Sequence, residues 1–216
     1  MAAGSSARGE PQRRVAAHLY STFVALARVE FTQEQIRQRI LELSSELSAL
    51  LGGEPPVLVG VLKGSLLFMA DLVKALPMDV DVDFMAISTY QGGNNPTGVV
   101  RIIKDLEGPI EGRHVVIVED IVDTGLTLTY LMRSLMTRGP ASLRVCTLID
   151  KPVRRIVDPK VDLRGFESVE FLVGYGLDFK GLYRNLPYIL AVPDPARLAA
   201  DPGGLKALFT PDGVRG

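Results

Sequence analysis

Apolar residues recur at Ile36, Ile40, Leu43, Leu47 and Leu50, three or four positions apart, in a stretch that stops at Gly52-Gly53. That spacing is one face of a helix. Thr32 stands three residues before Gln35 at its start, the spacing of a capping box. A helix of about five turns is predicted. After Pro55-Pro56 the pattern changes, and residues 57–61 (VLVGV) are apolar throughout and rich in β-branched side chains. Such a run reads as a strand buried on both faces. Lys63-Gly64-Ser65 interrupts it, and residues 66–76 read as a helix closed by Pro77. Residues 79–88 alternate at first and read as a strand, 91–98 (QGGNNPTG) as a flexible turn, and 99–103 as a further strand. Residues 115–118 and 143–149 are two more buried strands, separated by a predicted helix over 127–138 that ends at Gly139-Pro140. Short strands are predicted at 169–173 and 188–192. The stretch from Pro193 onward is rich in Pro and Gly, with room for a helical turn at 205–209.

Strand, helix and strand alternate from 57 to 149, which implies an α/β fold: a parallel twisted sheet with right-handed crossovers and flanking helices. Ligands bind such sheets at the carboxyl ends of the strands. The loops at 62–65, 119–126 and 150–151 are therefore expected to line one crevice. Residues 1–30 are expected to be a loosely ordered arm, 31–193 the folded domain with a small hood, and 194–216 a weakly packed tail.

Composition narrows the classes. The chain has 216 residues, 47% apolar and 23% charged, enough for one domain with a sizeable core. Its 24 basic residues face 25 acidic ones, which disfavours a nucleic-acid binder relying on a strongly basic surface. Cys146 is the only cysteine and His18 and His114 the only histidines. A disulfide framework and a thiolate zinc site are thereby excluded, and a histidine-rich metal site is disfavoured. No apolar run approaches the roughly 18 residues of a membrane span. The Ala-, Ser- and Arg-rich opening has some transit-peptide character, but a disordered extension or a mis-called start codon is the simpler reading. A cytoplasmic protein is expected, since a single cysteine fits a reducing compartment.

Most of the chemistry lies in residues 115–127, VVIVEDIVDTGLT. A buried strand is expected to end at the adjacent acids Glu119 and Asp120. Asp123, Thr124, Gly125, Leu126 and Thr127 then open a helix. Backbone N–H groups at a helix start make an anion site, Gly125 permits close approach, and the two Thr hydroxyls add donors. The acids can accept from sugar hydroxyls or from water around Mg²⁺. This is not a Walker A loop, since it contains no Gly-Lys-Ser/Thr. Nor does Gly-x-Gly-x-x-Gly follow the first strand, so a Rossmann-type dinucleotide binder is disfavoured.

This segment resembles the 5-phosphoribosyl pyrophosphate (PRPP) motif of the type I phosphoribosyltransferases. Four more segments resemble the hypoxanthine-guanine branch in the same order. They are Val61-Leu62-Lys63-Gly64-Ser65, Ser88-Thr89-Tyr90, Leu148-Ile149-Asp150-Lys151, and Phe171 to Asp178 together with Tyr183-Arg184-Asn185-Leu186-Pro187. The likeness covers about residues 32 to 193. It implies a hood over the sheet and transfer of phosphoribose from PRPP to hypoxanthine or guanine, giving IMP or GMP and pyrophosphate.

The resemblance also implies roles. Asp123 would be the general base or acid near purine N7, although an Asp there also makes a good helix N-cap. Lys151 would donate to the purine O6 and so reject adenine, unless it is a surface lysine beside Arg154 and Arg155. Phe171 would stack on the base and Leu172 offer backbone groups to its edge, though core packing is the plain alternative for both. Asp178, with Glu119 and Asp120, would hold Mg²⁺. Arg184 and the Lys63-Gly64 loop would bind pyrophosphate, with a cis peptide between Leu62 and Lys63. Leu126 would contribute only its backbone N–H. Ser88, Thr89 and Tyr90 would open a mobile lid with Gly92, Gly93 and Gly98. Thr89 replaces a common Ser and Gln91 a common Gly, which bears on lid detail. A homodimer or homotetramer is expected on the resemblance alone. Two alternatives stay open: a sister enzyme acting on xanthine or a pyrimidine, and a regulatory protein that keeps the PRPP pocket but binds nucleic acid.

Overall fold

Thr32 caps the first helix from both sides. Its hydroxyl accepts from the Gln35 N–H at 3.2 Å, and the Gln35 side chain accepts from the Thr32 N–H at 2.9 Å. In the computed structural model, which describes residues 26–90 and 99–205, this helix, α1, runs Gln33–Leu51 and ends at Gly52. Its apolar stripe of Ile36, Ile40, Leu43 and Leu47 is buried, whereas Leu50 is exposed.

Strands β2 (Val57–Leu62), β5 (His114–Val122) and β6 (Ser142–Asp150) form the middle of a sheet. Around them lie β3 (Asp81–Tyr90), β4 (Val99–Lys104) and β7 (Leu163–Glu167), in the order β4-β3-β2-β5-β6-β7. All neighbours pair in parallel except β4, which runs antiparallel on the β3 edge. Helices α1 and α2 (Leu66–Ala75) cover one face, and α3 (Leu126–Met136) the other. This is the α/β architecture expected from the alternating pattern. A second, three-stranded antiparallel sheet, β1-β9-β8, forms the hood from Arg28–Phe31, Ile189–Ala191 and Leu172–Val173.

The structure departs from the sequence reading in five places. Strand β5 does not end before the acids. Its ladder with β6 continues through Glu119↔Thr147 to Val122↔Asp150, so both acids lie within the strand. Strand β7 was not expected, because LRGFE carries two charges and a glycine. It forms at the sheet edge, where Arg39 of α1 donates to the Arg164 and Gly165 carbonyls. The strand expected over 169–173 keeps only Leu172–Val173, since Glu170 N–H turns back to the Ser168 hydroxyl at 3.2 Å. The arm boundary at residue 30 moves earlier: Leu26 and Ala27 are buried and β1 pairs with β9. At the other end, helix α4 (Pro195–Ala200) buries Leu198, and Leu205 joins the same apolar cluster. Packing therefore continues past residue 193. The remainder of the arm, the glycines of the expected lid and residues 206–209 lie outside the described residues.

Candidate active site

The carboxyl ends of β2, β3 and β5 open into a crevice of about 300 Å³. Residues 61–64, Ile87, 119–125, Thr127 and Leu128 line it, and the hood contributes Asp178 and Arg184. The volume is at the lower end for a small-molecule site. The walls are mostly polar, as an ionic ligand requires.

On one wall, β5 runs into α3. Gly125 is the N-cap residue at φ 80°, and a Cβ there would meet the Val157 carbonyl at 2.2 Å. Only glycine allows this turn to lie so close to residue 157. Asp123 is therefore not the helix N-cap. The first N–H groups of α3, from Leu126 and Thr127, have no acceptor within the helix; Leu126 N–H donates at 3.5 Å to the Thr124 hydroxyl, and Thr127 lines the crevice. The Leu62–Lys63 peptide, also in the lining, is cis, as the resemblance implies. Gly64 is packed against Asp120: a Cβ would stand 1.6 Å from Asp120 Oδ2.

The acids differ in setting. Glu119 is buried, and loss of solvent, reinforced by the neighbouring Asp120 charge, pushes its carboxyl well above the usual range. Burial raises Asp120 to about 6, opposed by backbone N–H donors and the Arg184 charge. Asp123 Oδ1 is buried without a hydrogen-bond partner. Arg154 Nε lies 3.1 Å from it as an ion pair, off the hydrogen-bonding direction. From the hood, Arg184 pairs with Asp178 at 2.6 Å and donates to the Gly176 carbonyl at 2.6 Å. Asp178 also accepts from Gly181 N–H at 2.7 Å.

Lys63, Gly64, Glu119, Asp120, Asp123, Thr124, Gly125, Thr127, Asp178 and Arg184 are thus brought together. Other candidates are not. Lys151 lies outside the lining, as does Asp150, so the expected 150–151 wall is absent. Lys151 is 3% exposed and its ammonium donates to the Glu170 carbonyl. Burial draws its pKa below the ordinary lysine value, Arg154 adds to this, and Asp123 and Glu170 oppose it. It is not a surface lysine. Phe171 packs into the hood, edge-on to Phe179 at 5.8 Å, and Leu172 is buried in the main core. Ser88, Thr89 and Tyr90 are the last residues of β3, paired with Arg101, Val100 and Val99.

A family model for the phosphoribosyl transferase domain matches residues 30–180. The hypoxanthine-guanine phosphoribosyltransferase of Bacillus subtilis is 45% identical over 165 residues, 76% of this chain and 92% of the relative. The chain belongs to the hypoxanthine-guanine phosphoribosyltransferase family. A solved member from Bacillus anthracis superposes with TM-score 0.74 at 40% identity, covering 77% of this chain and 99% of that one. The hypoxanthine phosphoribosyl transferase of Trypanosoma cruzi, examined for the role of its C-terminal region in oligomeric state and activity, gives 0.75 at 40% identity, covering 81% and 95%.

Two features of this phosphoribosyltransferase went unread in its sequence. Arg155 looked like plain surface charge beside Arg154, yet its side chain is only 9% exposed. Tyr175 sits at φ 46° and donates to Asp71 Oδ2 at 2.5 Å. No local pattern marks either one, because the Val122 and Asp123 carbonyls that Arg155 reaches and the Asp71 that Tyr175 reaches lie 32 to 104 residues away along the chain.

Proposed function

We propose that the protein transfers phosphoribose from PRPP to hypoxanthine or guanine, forming IMP or GMP and releasing pyrophosphate. A bond forms between a purine ring nitrogen and C1 of the ribose as the bond from C1 to pyrophosphate oxygen breaks. The observation that carries this reading is the crevice. The helix start at 125–127 offers N–H groups to it, and the 62–64 loop and Arg184 line it as well. The helix start suits the 5-phosphate, and the loop with Arg184 suits pyrophosphate.

Asp123 accepts the proton that the purine ring loses as the new bond forms and passes it to solvent or to the departing pyrophosphate, as a carboxylate whose Oδ1 accepts no hydrogen bond can. Glu119 and Asp120 bind the ribose hydroxyls. Lys151 reads O6, and release from the Glu170 carbonyl would free it to do so. Phe171 and Leu172 frame the base from the hood side. Residues 88–90 lead into a lid that keeps water from the reacting carbon. Among the described residues no three His, Cys, Asp or Glu side chains form a ready metal cage. The crevice carboxylates Asp120 and Asp178, with Glu119 beside them, fit Mg²⁺ carried mainly by substrate phosphates and water. Bound there, the cation would neutralise charge on the leaving pyrophosphate.

No described helix is long and apolar enough to cross a membrane. We infer a cytoplasmic homodimer or homotetramer with no nucleic-acid or membrane partner. The domain comprises residues 31–193, with β1 and α4 extending the hood.

The test is a spectrophotometric assay with PRPP, Mg²⁺ and four bases: hypoxanthine, guanine, xanthine and adenine. Turnover of hypoxanthine or guanine and none of adenine is expected, with kcat lowered about 10²–10⁴-fold in Asp123→Asn. Turnover of xanthine as well would widen the substrate range and leave the mechanism intact. PRPP binding without turnover of any base would overturn the enzyme reading.

A further inference from the structure

The carbonyls of residues 122, 123 and 124 are all held from behind the crevice by one strap, residues 151–157. Val122 O accepts from Lys151 N–H at 3.0 Å, and Thr124 O from the N–H groups of Ile156 and Val157 at 3.0 and 3.2 Å. Between them stands Arg155. Its Nη1 donates to both Val122 O and Asp123 O, at 2.7 Å each. Its Nη2 pairs with the carboxylate of Asp150, the last residue of β6 and the one before Lys151. A single buried guanidinium therefore grips the backbone carrying Asp123 on one side and the residue preceding Lys151 on the other.

We propose that Arg155 is a positioning residue that fixes the separation of Asp123 and Lys151, so that carboxylate and ammonium meet the same purine ring together. The inference rests on the phosphoribosyltransferase reading above. Three observations carry it. The planar fork presents donors at a fixed angle, which the point charge of lysine does not reproduce. The side chain is 9% exposed and Asp150 3%, so neither group is a solvated surface charge. Buried ion pairs are weak devices for stability, and their best-attested use is to specify geometry. The β5–β6 ladder sets the spacing of the two strands as far as Val122 and Asp150, and Arg155 carries that specification one residue further, to Asp123. Misplacement of a catalytic group by about 1 Å can cost on the order of 100-fold in rate.

Arg155→Lys tests this, since it keeps the charge and can serve one loop but not both. Thermal melting, kcat, and KM for PRPP and hypoxanthine are measured in the wild-type and Asp123→Asn backgrounds. In the wild-type background we expect kcat to fall at least about tenfold while KM for PRPP stays within about threefold. In the Asp123→Asn background the same change should cost less than about threefold, because the group it misplaces is already disabled. An equal factor in both backgrounds, or unchanged kcat, would overturn the inference and leave Arg155 with a purely structural role. If Arg155→Lys does not fold, Asp150→Ala removes the acceptor and breaks the same link from the other side. It should show the same selective loss of kcat, and wild-type kcat in that variant would equally overturn the inference. A wild-type protein that turned over neither hypoxanthine nor guanine would remove the enzyme reading and this inference together. An active wild type with an indifferent Arg155→Lys removes this inference alone.

Discussion

At the scale of single residues, base choice turns on Lys151. A buried ammonium facing a carbonyl is satisfied, whereas facing the amino group of adenine it is left without an acceptor, which costs more than losing an ordinary contact. Burial lowers its pKa, so the donor form is lost at a pH below the ordinary lysine value of about 10.4. Deprotonation removes the positive charge and the firm donor to O6. The ratio of kcat/KM for hypoxanthine in wild type to that in Lys151→Gln should therefore decline as pH rises through that range. Taking the ratio cancels ionisation of the base itself. A ratio constant from pH 7 to 10 would separate Lys151 from base recognition.

At the scale of elements, the crevice is an assembly of three layers of backbone. Asp120 lies against Gly64, and Gly176 of the hood lies against Gly64 from the other side, where a Cβ would stand 2.0 Å from the Gly64 carbonyl. Helix α2 begins directly after this loop, and its Asp71 accepts from the Tyr175 hydroxyl. Burial and that carboxylate raise the Tyr175 hydroxyl above the usual phenol range, so it stays protonated and donates. The hydrogen bond ties hood to helix beside the glycine contact. Tyr175→Phe removes it at a cost of about 1 kcal/mol, since Asp71 is partly solvated. A melting temperature lowered by a few degrees is expected. KM for PRPP should rise severalfold and kcat hold within about twofold. A selective loss of kcat would instead place Tyr175 in the chemistry. Glu119 and Asp120, expected at a strand end, lie within β5 because its ladder with β6 continues past the point where the apolar run stops.

At the scale of the whole molecule, the hood is stitched from both ends of the described chain. Strand β1 pairs with β9, and α4 returns Leu198 to the cluster that holds Leu26, Tyr183 and Leu190. Leu198 is fully buried, so Leu198→Ala should cost about 2–5 kcal/mol by chemical denaturation. A cost near zero would show that α4 is not part of the packed unit. The hood carries Asp178 and Arg184 over a crevice built by the sheet, so stability of the one bears on ligand binding by the other.

The α/β class, the helix over 33–51, the buried strands and the acid-Thr-Gly turn were legible in the chain. Each is specified by neighbours within a few residues: the period of an apolar face, a capping pair, a β-branched run, a glycine where φ is positive. The likeness of five short segments to one family was legible for the same reason. Strands β1 and β7, the packing of α4, the burial of Arg155 and the Tyr175–Asp71 bond were not. Their side chains are polar or sparse in apolar pattern, and the partners that decide them, such as Gly165 O for Arg39, Val122 O and Asp123 O for Arg155, and Asp71 for Tyr175, lie 32 to 126 residues away. The local chain determined which residues could bind phosphate and move a proton. Only the tertiary structure decided which of them share a crevice, because burial and charge pairing depend on what long-range contacts bring alongside.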